Sequence, residues 1–232
     1  MKKRDHTQKT QPHSKTCAHV DTIVAIVTQE VASFNLPIVT EMIQNKRDPF
    51  TVLISTILSL RTKDKTTRTA TKRLFARAET PHDMIKLNPA TIEKLIYPVG
   101  FYKNKAQTIA QVCKKLITEY AGTVPADIDS LLTFPGVGRK TANLVRTLGF
   151  NKPGICVDIH VHRISNRLGW VTTKNPHETE MALRASLPKK YWIAINDLLV
   201  AYGQNICRPV SPFCSRCKIK RYCKQVNVTT HR

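Results

Sequence analysis

From Asp21 onward, apolar positions recur at helical rather than alternating spacing. Ile23, Ile26, Val27, Val31 and Phe34 fall on one face of a helix. Phe50 to Leu60 is a largely apolar run. It is opened by Asp48-Pro49, an N-cap followed by proline at the first helical position. Thr80-Pro81-His82-Asp83, Asn88-Pro89 and Asn175-Pro176 repeat that starting chemistry. Residues 104–120 carry Ile109, Val112, Leu116, Ile117 and Tyr120 at helical spacing, with Gly122 placed to end the helix. Trp192, Ile195, Leu198, Leu199 and Tyr202 form another stripe, which Gly203 would stop. No stretch alternates convincingly as a strand. The pattern predicts an all-α fold of roughly ten short helices.

Size and charge narrow the class. The chain has 232 residues, 41% of them apolar and 23% charged. That suits one domain with additions or two small lobes, and excludes a wholly disordered protein. No apolar run approaches the ~20 residues of a membrane helix, so none is expected. Lys and Arg number 37 against 16 Asp and Glu, a net charge of +21. Such charge repels itself in a compact fold and points to a polyanion, nucleic acid first. A solubilising surface or an anionic membrane partner is the blander reading. Residues 1–18 read as a flexible basic tail without the apolar core of a secretory signal. Four of the seven cysteines crowd into one stretch, unlike a spread disulfide framework. Together these features point to a reducing, intracellular compartment.

The segment Leu131-Leu132-Thr133-Phe134-Pro135-Gly136-Val137-Gly138-Arg139-Lys140-Thr141-Ala142 runs from an apolar helix end through Pro-Gly-Val-Gly into a new helix. Gly136 and Gly138 free the backbone and let it approach a ligand. The hairpin amides, with a helix N-terminus behind them, suit a phosphate oxygen. This is a helix-hairpin-helix pattern for gripping a nucleic-acid backbone, with Gly136, Val137, Gly138 and Arg139 as DNA-binding candidates. Gly-Val-Gly alone would be an ordinary turn. Lys140 opens the second helix, where the helix dipole, Arg139 and partial burial disfavour an ammonium, so it can become an amine nucleophile. In isolation it would be a phosphate contact.

Asp158 follows 18 residues later, in Val157-Asp158-Ile159-His160. For Asp158 to meet Lys140, the chain over 144–150 would have to turn back, with Gly149 and Pro153-Gly154 as punctuation. A carboxylate there can activate the lysine or shuttle protons. It is also a favoured N-cap for a helix over 159–168, and both roles can hold at once. His160 and His162 lack further ligands at helical spacing and read as helix and interface positions. A His-Cys hydrolase arrangement has no support.

Cys207-x6-Cys214-x2-Cys217-x5-Cys223 places four thiolates within 17 residues, enough to wrap one tetrahedral object. Zinc and a [4Fe–4S] cluster both fit the ligand type. A zinc ribbon usually shows two CxxC pairs, and only one is present. No acidic residue follows Asp197, whereas Arg208, Arg216, Lys218, Lys220, Arg221 and Lys224 surround the cysteines. The loop would set basic groups, Lys218, Lys220 and Arg221 among them, against a DNA backbone.

FPGVGRKTANLV, then VDIHVHRISNRLGW, then the four cysteines, in that order, resemble the endonuclease III family of base-excision DNA glycosylases over roughly residues 20–225. The resemblance implies that Lys140 is the catalytic lysine. It attacks C1′ of a damaged nucleotide, expels the base as a Schiff base forms, and elimination of the 3′ phosphate then nicks the strand. It implies that Asp158 is the essential aspartate, able also to stabilise an oxocarbenium-like sugar. Ile159 stands where the family commonly has Thr, a change expected to affect packing rather than chemistry. The cysteine spacing matches the family's iron–sulfur loop and favours a structural [4Fe–4S] cluster. Two loops of the family fill the gap left by an extruded nucleotide, and correspond here to residues 59–64 and 99–103. Phe101 would be the apolar wedge. Arg61, where many relatives carry Gln, would face the orphaned base. Arg61, Lys63, Lys65, Arg68, Lys72, Arg73 and Arg77 would supply phosphate contacts or a solvated face.

The architecture implied is two helical lobes with DNA in the cleft between them. One lobe spans residues 36–152 with the helix-hairpin-helix. The other joins 19–35 to 153–232 with the cluster loop 207–223. The expected function is a bifunctional glycosylase and AP lyase acting on oxidised pyrimidines, such as thymine glycol, in damaged double-stranded DNA. It would act as a monomer, without a membrane partner. It would work in the cytoplasm or nucleoid of a bacterium or archaeon, or the nucleus or mitochondria of a eukaryote. The rivals are a mismatch glycosylase acting on adenine, or on T or U opposite G, and a non-catalytic DNA-binding module. Adenine-specific relatives usually lack a lysine at position 140 and carry an extra C-terminal domain, whereas this chain has Lys140 and ends nine residues after Cys223.

Overall fold

The computed structural model describes residues 17–34 and 48–232. Most of the expected tail, and residues 35–47 of the first lobe and its entry, lie outside these. Residues 17 and 18 correct the tail's boundary. Cys17 is buried, its amide donates to Ser186 O at 3.3 Å, and Ala18 O accepts from Trp170 Nε1 at 3.0 Å.

The described residues form eleven α-helices and no strand. They are α1 (Val20–Val31), α2 (Pro49–Ser59), α3 (Asp64–Phe75), α4 (Pro81–Met84), α5 (Pro89–Ile96) and α6 (Tyr102–Tyr120). Then come α7 (Ile128–Leu132), α8 (Arg139–Leu144), α9 (Ile159–Leu168), α10 (Pro176–Ser186) and α11 (Ile195–Asn205). The Asx/Thr-Pro starts all cap as read. Asp48 accepts from Thr51 N at 2.8 Å, Thr80 from Asp83 N at 3.1 Å, Asn88 from Thr91 N at 2.8 Å and Asn175 from Glu178 N at 2.9 Å.

The buried stripes gather into two cores. One is built from α2 to α8, with Leu53, Leu58, Leu74, Ile92, Ile109, Leu116 and Val145 at its centre. The other joins α1 to α9, α10 and α11 through Ile23, Val27, Val161, Ile164, Leu183 and Tyr202. Burying one such aliphatic side chain stabilises by about 1.5–3 kcal/mol, against about 1 kcal/mol for a cap. The stripes therefore decide how the helices pack, and the caps decide where they begin.

Three expectations are corrected. Gly203 does not stop the last stripe, because α11 continues to Asn205. A Cβ at Gly203 would lie 2.5 Å from His160 Nδ1, so this glycine lets α9 pack close against α11. Trp192 precedes α11 rather than lying on it. Residues 144–150 do not turn back. α8 runs on as a π-helical turn, Val145–Gly149, and reversal comes after it, where Lys152 N donates to Arg146 O at 3.0 Å. Gly149 is needed for approach, since a Cβ there would lie 3.0 Å from Pro49 Cα at the start of α2.

Candidate active site

α7, the turn and α8 form the hairpin expected from the sequence. Gly136 has φ +72°, a left-handed conformation that favours glycine. Gly138 is different. Its φ is −96°, and a Cβ there would meet nothing within 4 Å. Nothing inside the protein requires glycine at 138, and the space beside it is open. Gly138 caps α8 without a side-chain bond, leaving the first-turn amides with no intrahelical acceptor. Val137 is corrected as a direct contact. Its side chain is buried in the first core and its amide donates to Phe134 O at 3.2 Å.

Lys140 and Asp158 come together from the two cores. Lys140 Nζ lies 3.8 Å from Asp158 Oδ2, with the lysine side chain 46% exposed and the aspartate 9%. Asp158 Oδ1 accepts from His160 N at 2.8 Å and Val161 N at 2.9 Å, so one carboxylate oxygen caps α9 while the other faces the lysine. The thiol of buried Cys156 contacts Lys140 O at 3.7 Å, and Asn196 Nδ2 donates to Cys156 O at 3.1 Å. Burial pushes the Cys156 thiol well above its usual range, so it remains a proton donor. Burial likewise lowers His160, with Arg163 and Lys140 acting in the same direction against Asp158. The neutral ring then accepts from Arg163 Nη2 at 3.1 Å.

Arg139, partly exposed in the groove, is held by α10. Its Nε and Nη2 hold Glu180 Oε2 at 2.9 Å and Oε1 at 2.7 Å. Glu180 is buried and also takes Arg184 Nε at 3.0 Å, while Arg184 Nη2 donates to Asn143 Oδ1 at 3.1 Å. This network ties α8 to α10 across the two cores. Arg61, Arg139, Lys140, Asp158, Ile159, His177 and Glu180 line one open groove. Ile159 is 67% exposed, so its expected effect on packing is corrected: it presents an apolar face to the groove instead.

The loops over 59–64 and 99–103 meet. Gly100 N donates to Thr62 Oγ1 at 3.1 Å, and Arg61 Cζ lies 5.7 Å from the centre of the Phe101 ring, which is 61% exposed.

Cys207, Cys214, Cys217 and Cys223 line a single apolar cavity with Tyr202, Ile206 and Ile219. Arg167 Nη1 donates to Cys207 Sγ at 3.3 Å and Gln225 N to Cys223 Sγ at 3.4 Å. Such donors suit thiolate ligands. Among the described residues, no three His, Cys, Asp or Glu side chains converge on a single-ion site. Arg163 and Arg167 of α9 hold the loop through Cys207 O at 2.9 Å and Arg208 O at 2.7 Å. α9 thus carries Asp158 at its start and the cysteine loop farther along. Lys218, Lys220 and Arg221 are exposed beside that cavity rather than on the Lys140 groove. Arg208, Arg216 and Arg232 surround the Phe213 ring at 4.9, 4.2 and 4.4 Å.

Sequence reasoning missed Glu180 and the buried Lys105, whose amine donates to Leu58 O, Leu60 O and Thr62 Oγ1. The signal was helical phase: Lys105 precedes Ile109 by one turn on the buried stripe of α6, and Glu180 precedes Leu183 on that of α10.

The sequence profile of the HhH-GPD superfamily base excision DNA repair proteins matches residues 54–189. The chain is 49% identical over 177 residues to endonuclease III of Thermotoga maritima, covering 76% of this chain and 83% of that protein. It is 47% identical over 187 residues to the chloroplastic endonuclease III homolog 2 of Arabidopsis thaliana, covering 77% of this chain but 48% of that protein. A trapped endonuclease III–DNA covalent intermediate superposes with a TM-score of 0.79 at 34% identity, covering 90% of this chain and 96% of that one. No helix among the described residues is long and apolar enough to cross a membrane.

Proposed function

The chain belongs to the HhH-GPD superfamily of base excision DNA repair proteins, as an endonuclease III-type DNA glycosylase and AP lyase, and on that footing we propose that it excises oxidised pyrimidines, such as thymine glycol, from duplex DNA through Lys140. The observation that carries this reading is Lys140 Nζ at 3.8 Å from the Oδ2 of a nearly buried Asp158, in a groove beside the hairpin. The 36–152 and 19–35 plus 153–232 segments are taken as the two lobes, and the groove as the DNA cleft. The protein acts as a monomer inside the cell.

The open amides at the start of α8 and the bare Gly138 hold a backbone phosphate. Phe101 enters the stack as the target nucleotide leaves it, and Arg61 meets the orphaned base. Lys140 acts as an amine, so its proton must leave, and Asp158 Oδ2 is placed to accept it. The amine attacks C1′, the C1′–base bond breaks, and the base departs with a proton. That proton comes from Asp158, and the carboxylate so restored stabilises the positive charge left on the sugar. The C1′–amine adduct opens to an imine. Loss of a C2′ proton then expels the 3′ phosphate, and hydrolysis of the imine frees Lys140.

Cys207, Cys214, Cys217 and Cys223 hold a [4Fe–4S] cluster. Four thiols around one apolar cavity, at the spacing of the family's iron–sulfur loop, support this reading. When bound, the cluster supplies cross-linking of the loop rather than chemistry on DNA. The loop's exposed cations then face the backbone.

The test is a panel of duplexes bearing thymine glycol, T or U opposite G, and adenine opposite 8-oxoguanine, scored for base release under single turnover. Release from thymine glycol at least about tenfold faster than from the others supports the reading. A preference for T or U opposite G would replace it with the mismatch reading.

A further inference from the structure

The loops that carry Arg61 and Phe101 share one buried anchor. Lys105, in the first turn of α6, is only 7% exposed. Its Nζ donates to Leu58 O at 2.9 Å, Leu60 O at 2.5 Å and Thr62 Oγ1 at 3.1 Å. That uses all three donors of an ammonium. Two of the acceptors are carbonyls at the end of α2, where the helix dipole favours a cation. The third is the hydroxyl that also receives Gly100 N from the opposite loop. The loops touch closely, since a Cβ at Gly100 would lie 2.5 Å from Arg61 O.

Both tip residues are in left-handed backbone. Arg61 has φ +51° and Phe101 φ +58°, a region L side chains avoid unless the surroundings impose it. Phe101 nevertheless stands out into solvent beside the Arg61 guanidinium. Burial pulls the Lys105 ammonium down to about 8, still charged at neutral pH. Lys105 does not line the groove of Lys140 and Asp158, so it is outside the chemistry.

We propose that Lys105 is a positioning residue for nucleotide extrusion, clamping the two loops into one rigid wedge whose tip, Phe101 with Arg61, is driven into the duplex. The proposal rests on the reading of the chain as a glycosylase that acts on an extruded nucleotide. A wedge that replaces base stacking must keep its shape under load. Without the shared anchor, Arg61 and Phe101 can relax out of left-handed backbone and the tip collapses. The lysine therefore matters where a stack has to be opened and not where the sugar is already accessible.

The test compares two DNAs in single turnover: a duplex with a thymine glycol, and a single-stranded oligonucleotide with an abasic site. Lys105→Met removes the three donors at similar length. Thr62→Val removes only the acceptor shared by the two loops. For both, the expected result is a loss of about tenfold or more on the duplex, with the single-strand nicking rate within about twofold of wild type. Lys105→Arg, which keeps charge and donors, should recover part of the duplex rate. Equal losses on both DNAs, or no loss on either, from folded variants would overturn the proposal. If Lys105→Met does not fold, the same ratio for Thr62→Val decides it. Wild-type protein that nicks neither DNA would overturn the glycosylase and lyase reading itself, and the wedge with it.

Discussion

The two oxygens of Asp158 can be separated by substitution. Oδ1 caps α9 through His160 N at 2.8 Å and Val161 N at 2.9 Å, while Oδ2 faces Lys140 Nζ at 3.8 Å. Asparagine keeps a carbonyl oxygen for the cap and removes the charge. Alanine removes both. Losing an Asp N-cap costs about 0.5–2 kcal/mol, and two short bonds from a nearly buried side chain place Asp158→Ala near the top, about 2 kcal/mol. The ion pair adds little to this, because Lys140 is half exposed and water screens it. In a chain of this size about 2 kcal/mol lowers Tm by about 4–8 °C. Asp158→Asn should stay within about 1 °C of wild type, since its amide oxygen still caps. Both variants should lose about 100-fold or more of the nicking rate on an abasic duplex. Thermal unfolding by circular dichroism and single-turnover nicking read the two effects independently. Equal Tm values for the two variants would refute the cap, and an active Asp158→Asn would refute the role of the charge.

Other substitutions probe the remaining parts of the site. Gly138→Ala should leave stability within about 0.5 kcal/mol, because its Cβ meets nothing, yet weaken duplex binding by about tenfold in a titration. Gly136→Ala should instead cost about 1–2 kcal/mol of stability, having φ +72° and Thr108 Cγ2 at 2.9 Å. Burial pushes the Glu180 carboxyl up, but hydrogen bonds from Arg139 and Arg184 more than reverse this and leave it below its ordinary 4.5. The unfolded chain thus takes up the proton first, so this stabilisation is complete above pH 4.5 and is lost as pH falls through the folded value. Glu180→Gln should flatten the dependence of stability on pH in that acid range, and an unchanged slope would count against the network. Cys214→Ser should strip iron and acid-labile sulfide from the purified protein and loosen the 207–223 loop in hydrogen exchange. Retention of full iron and sulfide would contradict the ligand set.

Much of this was legible because its signals are local. Asp48, Thr80, Asn88 and Asn175 announce helix starts by their own side chains and the prolines that follow. The hairpin and the cysteine loop are continuous strings. The pairing of Lys140 with Asp158 was legible only through the family resemblance, since it depends on how two separate cores dock. What failed were readings that needed a distant partner. Gly203 looks like a helix stop until His160 is found where its Cβ would be. Arg139 shows no sign in the sequence of its bidentate partner, Glu180 of α10. Lys105 has the phase of Ile109 and Val112, but the Leu58 and Leu60 carbonyls that hold its amine are far off in the chain. The π-helical turn after Leu144 has no local signal in the sequence, and the close approach of Gly149 to Pro49 shows only in the fold.

The role of Lys140 as nucleophile is tested by borohydride trapping on duplexes with an abasic site or thymine glycol, with the cross-linked peptide located by mass spectrometry. The expected result is a covalent adduct on both DNAs, mapped to Lys140 and absent from Lys140→Ala. An adduct on another residue, an adduct that survives Lys140→Ala, or none from protein with its cluster intact would contradict it.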